Sequence, residues 1–290
     1  MVCNPDKLAP PPAHIIEEAV ARALSEDHGL AGDMTSAATI PAGQMGEARL
    51  TAREAGVVAG LDVARAAFRA LDPCIAFDAC ASDCAHVGPG TLLARVGGNT
   101  RALLGAERVA LNFLGRMSGI ATLTARYADA VSGTGAKISC TRKTTPGLRA
   151  LEKYAVRAGG GVNHRFGLFD GILIKDNHVA AAGSVAAAIQ RARASAGHMV
   201  RIEVEADTFA QLDEALAHGA DVILLDNMSS KNLREAVWRV NGAALLEASG
   251  GVDLSTVGKI AQTGVDLISV GALTHSAVCL DVALDFEALA

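Results

Sequence analysis

"VRIEVEADTFAQLDEALAHGADVILLDNM", residues Val200 to Met228, contains two short apolar runs, VRIEV and DVILL, with a helical stretch between them. Runs that are apolar almost without alternation belong to strands buried on both faces, the condition of a parallel sheet covered by helices. The same unit recurs outward in both directions: AKISC and DGILI lie before it, AALLEA and DLISV after it. The residues that follow these runs are Thr141-Arg142-Lys143, Lys175-Asp176-Asn177, Glu205, Asp226-Asn227, Ser249-Gly250-Gly251 and Gly271, polar, charged or glycine each time. From Glu205 the steps are 21, 23 and 22 residues, to Asp226, Ser249 and Gly271, one minimal strand-helix unit each. A ring of functional residue types at the carboxyl ends of successive strands favours a barrel. An open dinucleotide-binding sheet would carry a G-x-G-x-x-G turn, which this repeat lacks. The count of six or seven strands predicts an incomplete TIM-like α/β barrel.

The preceding half reads differently. Ile15, Ile16, Ala19, Val20, Ala23 and Leu24 recur at helical spacing, and the Gly-rich HGLAGDMTS ends that helix. Short alternating runs between Glu47 and Gly98, with a helix predicted over Leu61 to Leu71, form a small α+β unit. Arg101 to Ser132 keeps helical periodicity throughout and reads as one long helix or two at a domain junction. The expected fold is α/β, with a small N-terminal α+β sandwich domain (1–115, joined by 276–290) followed by the barrel (116–275).

Composition excludes several function classes. The chain of 290 residues is half apolar but only 3% aromatic, which suits an aliphatic core of helices on strands. Its net charge of -5 argues against a general nucleic-acid or membrane-surface binder, so local basic clusters must serve something smaller. No apolar run reaches the roughly 20 residues of a membrane span, and the N-terminus lacks the order of a signal peptide, so the expectation is a cytoplasmic protein. The six cysteines are scattered as reduced thiols would be. Cys80, Cys84 and His86 lack an evident fourth ligand, which disfavours zinc.

The inferred rim gathers opposite charges. Arg142 and Lys143 end one strand, Lys175 ends another, and the loop AGGGVN leads to His164-Arg165. Paired guanidinium and imidazole donors suit planar carboxylates, and a lysine at a strand end suits a phosphate or carboxylate. Arg149, Lys153 and Arg157 recur at helical spacing beside Glu152 and read instead as charges facing water or a partner. Glu205 and Asp226, at the ends of apolar strands, need a basic neighbour, Mg²⁺ or ribose hydroxyls to offset desolvation. ASGGV (Ser249, Gly250, Gly251) and SVGALTHS (Ser269, Val270, Gly271) offer backbone N–H groups where barrels hold phosphate. Physics thus assembles a site for a phosphorylated molecule on one side and carboxylates on the other, with Mg²⁺ between.

The chain resembles the quinolinate phosphoribosyltransferase family, the decarboxylating nicotinate-nucleotide pyrophosphorylases of NAD biosynthesis. The resemblance is carried by EDHGLAGDMTS, GAERVALNFLGRMSGIAT, TRKTTPGLRALEKYAVRAGGGVNHR, ILIKDNHV, VILLDNM, ASGGV and ISVGALTHS, in family order from Glu26 to Ser276. Cys140, before Thr141, stands where many family members have Asp, and the Pro-rich first dozen residues lie outside the resemblance. The resemblance implies a pentosyltransferase that joins quinolinate to phosphoribosyl pyrophosphate, with Mg²⁺, and releases pyrophosphate and CO₂. It implies Lys143, Lys175, Glu205 and Asp226 as catalytic residues and Glu205 and Asp226 as metal ligands. Arg108, Thr141, Arg142, His164, Arg165 and the two glycine-containing turns would bind substrate. Arg108 would act on the neighbouring subunit of a homodimer with shared active sites, dimer against hexamer being left open, and CLDVALDFEALA would return to the N-terminal domain. Rival readings are a relative acting on another anionic pyridine or phosphosugar, a barrel lyase with Lys175 as Schiff-base nucleophile, and a non-catalytic phosphometabolite sensor.

Overall fold

The computed structural model describes residues 8–286. In chain order the elements are α1 (Ala13–His28), α2 (Met34–Thr39), β1 (Met45–Ala52), β2 (Gly56–Val57), α3 (Leu61–Leu71), β3 (Ala76–Ala79), β4 (His86–Val87) and β5 (Leu92–Asn99). They continue with α4 (Thr100–Ala130), β6 (Lys137–Ser139), α5 (Arg149–Ala158), β7 (Ile172–Ile174), α6 (Asp176–Ala182), α7 (Val185–Ser195), β8 (Ile202–Ala206) and α8 (Phe209–Ala217). The chain closes with β9 (Val222–Asp226), α9 (Ser230–Val240), β10 (Leu245–Ser249), α10 (Val257–Ala261), β11 (Leu267–Ser269), α11 (Ala272–His275) and β12 (Val282–Phe286).

Two compact units share these elements. Within the described residues the first comprises 8–125, 144–160 and 273–286. Its sheet has the order β12-β1-β5-β3, with β1 antiparallel to both β12 and β5. Ala48, Leu50 and Ala52 of β1 are buried and alternate with exposed or half-buried neighbours, the period of a half-buried strand. On α1, Ile16, Ala19, Val20 and Leu24 are buried, the stripe expected from their helical spacing. The C-terminal run does return to this unit: Leu284 pairs with Leu50 and Val282 with Ala52. The last four residues of that run, like Cys3, lie outside the described residues.

The second unit comprises Arg126–Lys143 and Gly161–Ala272. Its six parallel strands run in the order β6-β11-β10-β9-β8-β7, and Val162 adds a single parallel bridge to Ser139 at the β6 side. Six laddered strands and one bridged residue make the incomplete barrel that the repeat predicts. Ile202, Val204, Ile223, Leu225, Leu246, Ala248 and Ile268 are buried, and α7, α8 and α10 pack on their strands. The alternate residues of the same strands, among them Glu205, Leu224, Asp226, Glu247, Ser249 and Ser269, line a cavity. A two-residue period thus gives one strand both a core face and a site face.

Three expectations change here. The boundary between units falls at Ala125/Arg126 inside α4, later than the expected 115/116, and 144–160 groups with the first unit. The reason is close packing: a Cβ on Gly159 would come within 2.3 Å of Ala121 O, so glycine lets the end of α5 lie against α4. Second, α5 is not a solvated charged helix. Lys153 and Glu152 are 2% and 1% exposed, and Arg149 and Arg157 are half-buried, so charge spacing alone misplaced their face. Third, Cys84 is disulfide-bonded, whereas Cys74, Cys80, Cys140 and Cys279 form no disulfide, so the cysteines are not all reduced and Cys84 offers no thiolate to a zinc ion.

No helix among the described residues is long and apolar enough to cross a membrane.

Candidate active site

The cavity at the carboxyl ends of the barrel strands measures about 390 Å³, within the range of small-molecule sites. Thr141, Arg142, Lys143, His164, Arg165, Lys175, Glu205, Asp226, Ser249 and Ser269 all line it. Residues from seven parts of the sequence therefore meet where strand polarity predicts.

Each is placed by local structure. After β6 the Thr141 Oγ1 accepts the Lys143 N–H at 3.0 Å, a tight turn that carries the exposed Arg142 and Lys143. His164 and Arg165 follow the Val162 bridge. Arg165 Nη1 donates to Gly171 O at 3.0 Å, while its buried Nε has no hydrogen-bond partner. Burial, with the positive charge of Arg142 beside it, lowers the Arg165 pKa from its ordinary value, and Glu203 and Asp170 oppose the shift.

Lys175 caps α6, with its backbone N–H donated to His178 Nδ1 at 3.0 Å. Its Nζ lies 3.4 Å from Glu205 Oε2, and its side chain is 52% exposed. An ion-paired, half-exposed lysine lacks the desolvation that a Schiff-base nucleophile requires, which sets the lyase reading aside. Burial pushes the Glu205 carboxyl above its ordinary value; Asp226 adds to the rise and Lys175 opposes it.

On the acidic side, Asn227 Nδ2 donates to Asp226 Oδ2 at 2.5 Å, and Asn227 N–H donates to Ser249 O at 2.9 Å. Asn227 has a φ of 54° and Gly250 one of 93°. A Cβ on Gly250 would stand 2.1 Å from Asn227 Oδ1, so both the positive φ and the close approach require glycine there.

Other expected site residues stand apart from this lining. Gly250 and Gly251 are exposed turn residues, Gly271 is half-buried after β11, and Arg108 is exposed on α4 in the first unit. Val270 is 1% exposed and its N–H donates to Ser139 O at 2.9 Å, so the barrel ladder takes the donor expected to hold phosphate. The Ser269 hydroxyl donates to Glu247 Oε1 within the barrel.

Sequence reasoning missed Glu203, Asp207 and Glu247. Glu205, Asp207 and Asp226 each bring one carboxylate oxygen to within 4.8 Å of the others. An all-oxygen set of this kind suits a hard cation such as Mg²⁺, which keeps several waters and takes few protein ligands. Glu203 and Glu247 surround His164: its Nε2 lies 2.8 Å from Glu203 Oε2 and 3.7 Å from Glu247 Oε1. The missed signal was a carboxylate two residues before an identified strand-end residue, in IEVE and in LLEAS, where period two puts both on one face.

Comparison with known proteins agrees with this geometry. Residues 33–118 match the family model "Quinolinate phosphoribosyl transferase, N-terminal domain", and residues 120–285 match that of the C-terminal domain. The nicotinate-nucleotide pyrophosphorylase (carboxylating) of Mycobacterium leprae is 49% identical over 276 residues, covering 92% of this chain and 96% of the relative. Quinolinate phosphoribosyltransferase (decarboxylating) 2, mitochondrial, of Nicotiana glauca is 43% identical, covering 96% of this chain and 84% of the relative. The crystal structure of NadC from Streptococcus pyogenes superimposes with a TM-score of 0.92 at 41% identity, covering 96% of this chain and 99% of that one. With both family domains matched in order and the barrel cavity built from the motif residues, the chain belongs to the quinolinate phosphoribosyltransferase family.

Proposed function

We propose that this protein converts quinolinate and phosphoribosyl pyrophosphate into nicotinate mononucleotide, pyrophosphate and CO₂, a step of NAD biosynthesis. The observation that carries the reading is one cavity holding Arg142, His164, Arg165 and Lys175 together with Glu205 and Asp226. Quinolinate is a planar dicarboxylate, and these four basic residues supply the forked and point charges that bind two carboxylates. Lys143 neutralises phosphate charge, and Ser249 with the Gly250-Gly251 turn takes the sugar phosphate.

The ring nitrogen attacks C1 of the ribose as the C1–O bond to pyrophosphate breaks. Glu205 and Asp226 stabilise the positive charge that grows on the ribose in the transition state and order its hydroxyls. Nitrogen, once quaternised, makes the ring an electron acceptor. The adjacent carboxylate then leaves as CO₂, the bonding pair stays on the ring carbon, and that carbon takes a proton, while the second carboxylate remains. Glu205 and Asp226, with Asp207 beside them, would hold Mg²⁺, which when bound offsets the charge on the leaving pyrophosphate.

In the same reading Arg108 completes the site of a second copy, making a homodimer the smallest active unit. The net negative charge and freely diffusing substrates suit a cytoplasmic enzyme. Purified protein with Mg²⁺, phosphoribosyl pyrophosphate and quinolinate should release one CO₂ per quinolinate consumed. No consumption would overturn the assignment, and use of nicotinate without CO₂ release would move it to another pyridine substrate.

A further inference from the structure

Beneath the clamp lie two carboxylates that the reaction does not need for contact with substrate. Glu203 belongs to β8 and its side chain is 10% exposed; Glu247 belongs to β10 and its side chain is 2% exposed. Both face the His164 imidazole at Nε2, at 2.8 Å and 3.7 Å. An ionised carboxylate only accepts hydrogen bonds, so the nitrogen between them must carry a proton. That contact fixes the Nε2–H tautomer and the orientation of the ring. Glu247 is fixed in turn by the Ser269 hydroxyl. Glu203 has a second effect, since its charge opposes the lowering of the Arg165 pKa by burial and by Arg142. The remaining charged groups lining the cavity are Arg142 and Lys143 after β6, Lys175 after β7, Glu205 on β8 and Asp226 on β9.

We propose that Glu203, backed by Glu247, is a positioning residue that holds the His164 ring by its Nε2–H and steadies Arg165, so that this half of the clamp is oriented before a dicarboxylate arrives. The proposal rests on the reading of His164 and Arg165 as quinolinate ligands. It gives β8 two inward carboxylates with separate tasks, Glu205 toward the ribose and Glu203 toward the clamp.

The test uses Glu203→Gln, which keeps the size and an acceptor but removes the charge. In the parent protein, with no substrate present, the ¹⁵N signal of His164 Nε2 should report a protonated nitrogen at pH 8. In Glu203→Gln it should move toward the unprotonated value. Steady-state kinetics should show the KM for quinolinate rising about 10- to 100-fold, the loss of a charged hydrogen bond. The KM for phosphoribosyl pyrophosphate should stay within about twofold and kcat should fall less than the quinolinate KM rises.

An unchanged Nε2 signal together with an unchanged quinolinate KM would overturn the proposal, as would equal losses for both substrates. If Glu203→Gln does not fold, Glu247→Gln replaces it, with a smaller shift of the same signal and a rise in KM of about threefold; no shift would again overturn it. The nitrogen signal needs no turnover. Failure of the parent protein to consume quinolinate would thus count against the proposed reaction, and a failed signal shift against the positioning role.

Discussion

Two groups of buried charge in this chain have the same ingredients and opposite characters. In the first unit Glu152, 1% exposed, accepts from Arg116 Nη2 at 2.8 Å, from Thr145 Oγ1 at 2.8 Å and from Thr145 N–H at 3.0 Å. Arg116 also donates to Ala277 O at 3.1 Å and to Thr274 O. Donors surround that carboxylate and the cluster joins α4, α5 and the C-terminal segment, so its work is structural. In the barrel unit, Arg165 Nε and Glu203 Oε1 are buried without a partner. Glu205 is held above its ordinary pKa with its cation 3.4 Å away. A satisfied network is complete in itself, while buried groups left unpaired mark a place where structure is not the only constraint. The types of residue do not tell the two apart; the completeness of their hydrogen bonding does.

Mutations should separate the two groups by what they damage. The largest effect is expected for Glu205→Gln, which removes charge where positive charge develops: kcat should fall about 10²- to 10³-fold in steady-state assays with the fold retained. Glu152→Ala should leave the partly buried Arg116 without its carboxylate and cost about 1–3 kcal/mol of stability, read from denaturant unfolding. A loss under about 1 kcal/mol would place that pair among weak surface bridges. Arg142→Ala should raise the KM for quinolinate roughly 10- to 100-fold and leave the melting temperature near the parent value; unchanged kinetics would remove it from the clamp. Arg108→Ala mixed with a Glu205→Gln chain should recover up to about a quarter of parental activity, through hybrid dimers that retain one intact site. No recovery in verified mixed dimers would argue against shared sites.

The smallest effect concerns pH and stability. The folded-state pKa of Glu205 is raised, so its contribution to stability is present below its unfolded value and is lost as pH rises through the folded one. Glu205→Gln removes that loss. The variant should melt near the parent at pH 4 and modestly above it at pH 7 in thermal scans, giving stability in exchange for activity. A variant that melts below the parent at pH 7 would show that the Lys175 ion pair outweighs the burial of Glu205.

Much of this molecule was legible in the sequence where periodicity was strong. The helix predicted over Leu61 to Leu71 is α3, and the long periodic stretch from Arg101 is the single helix α4. The apolar runs are the six barrel strands, because a parallel strand under helices has no reason to alternate. The strand-end residues Arg142, Lys175, Glu205 and Asp226 meet in one cavity because strand polarity fixes which ends converge. Helix α5 reads from sequence as a solvated charged helix, since charges three and four residues apart look alike whether water or the folded protein receives them; Glu152 meets Arg116. Glu203 and Glu247 were passed over as polar interruptions in apolar strands. Val270 was assigned a phosphate donor that the ladder to Ser139 already takes.

The sequence by itself determined the unit of construction: strand, loop, helix, with chemistry at the strand ends, since these follow from local periodicity and from residue order. Only the tertiary structure decided which charges meet which partners. That property depends on residues far apart in the chain, such as His164, Glu203 and Glu247, being brought within a few ångströms of one another.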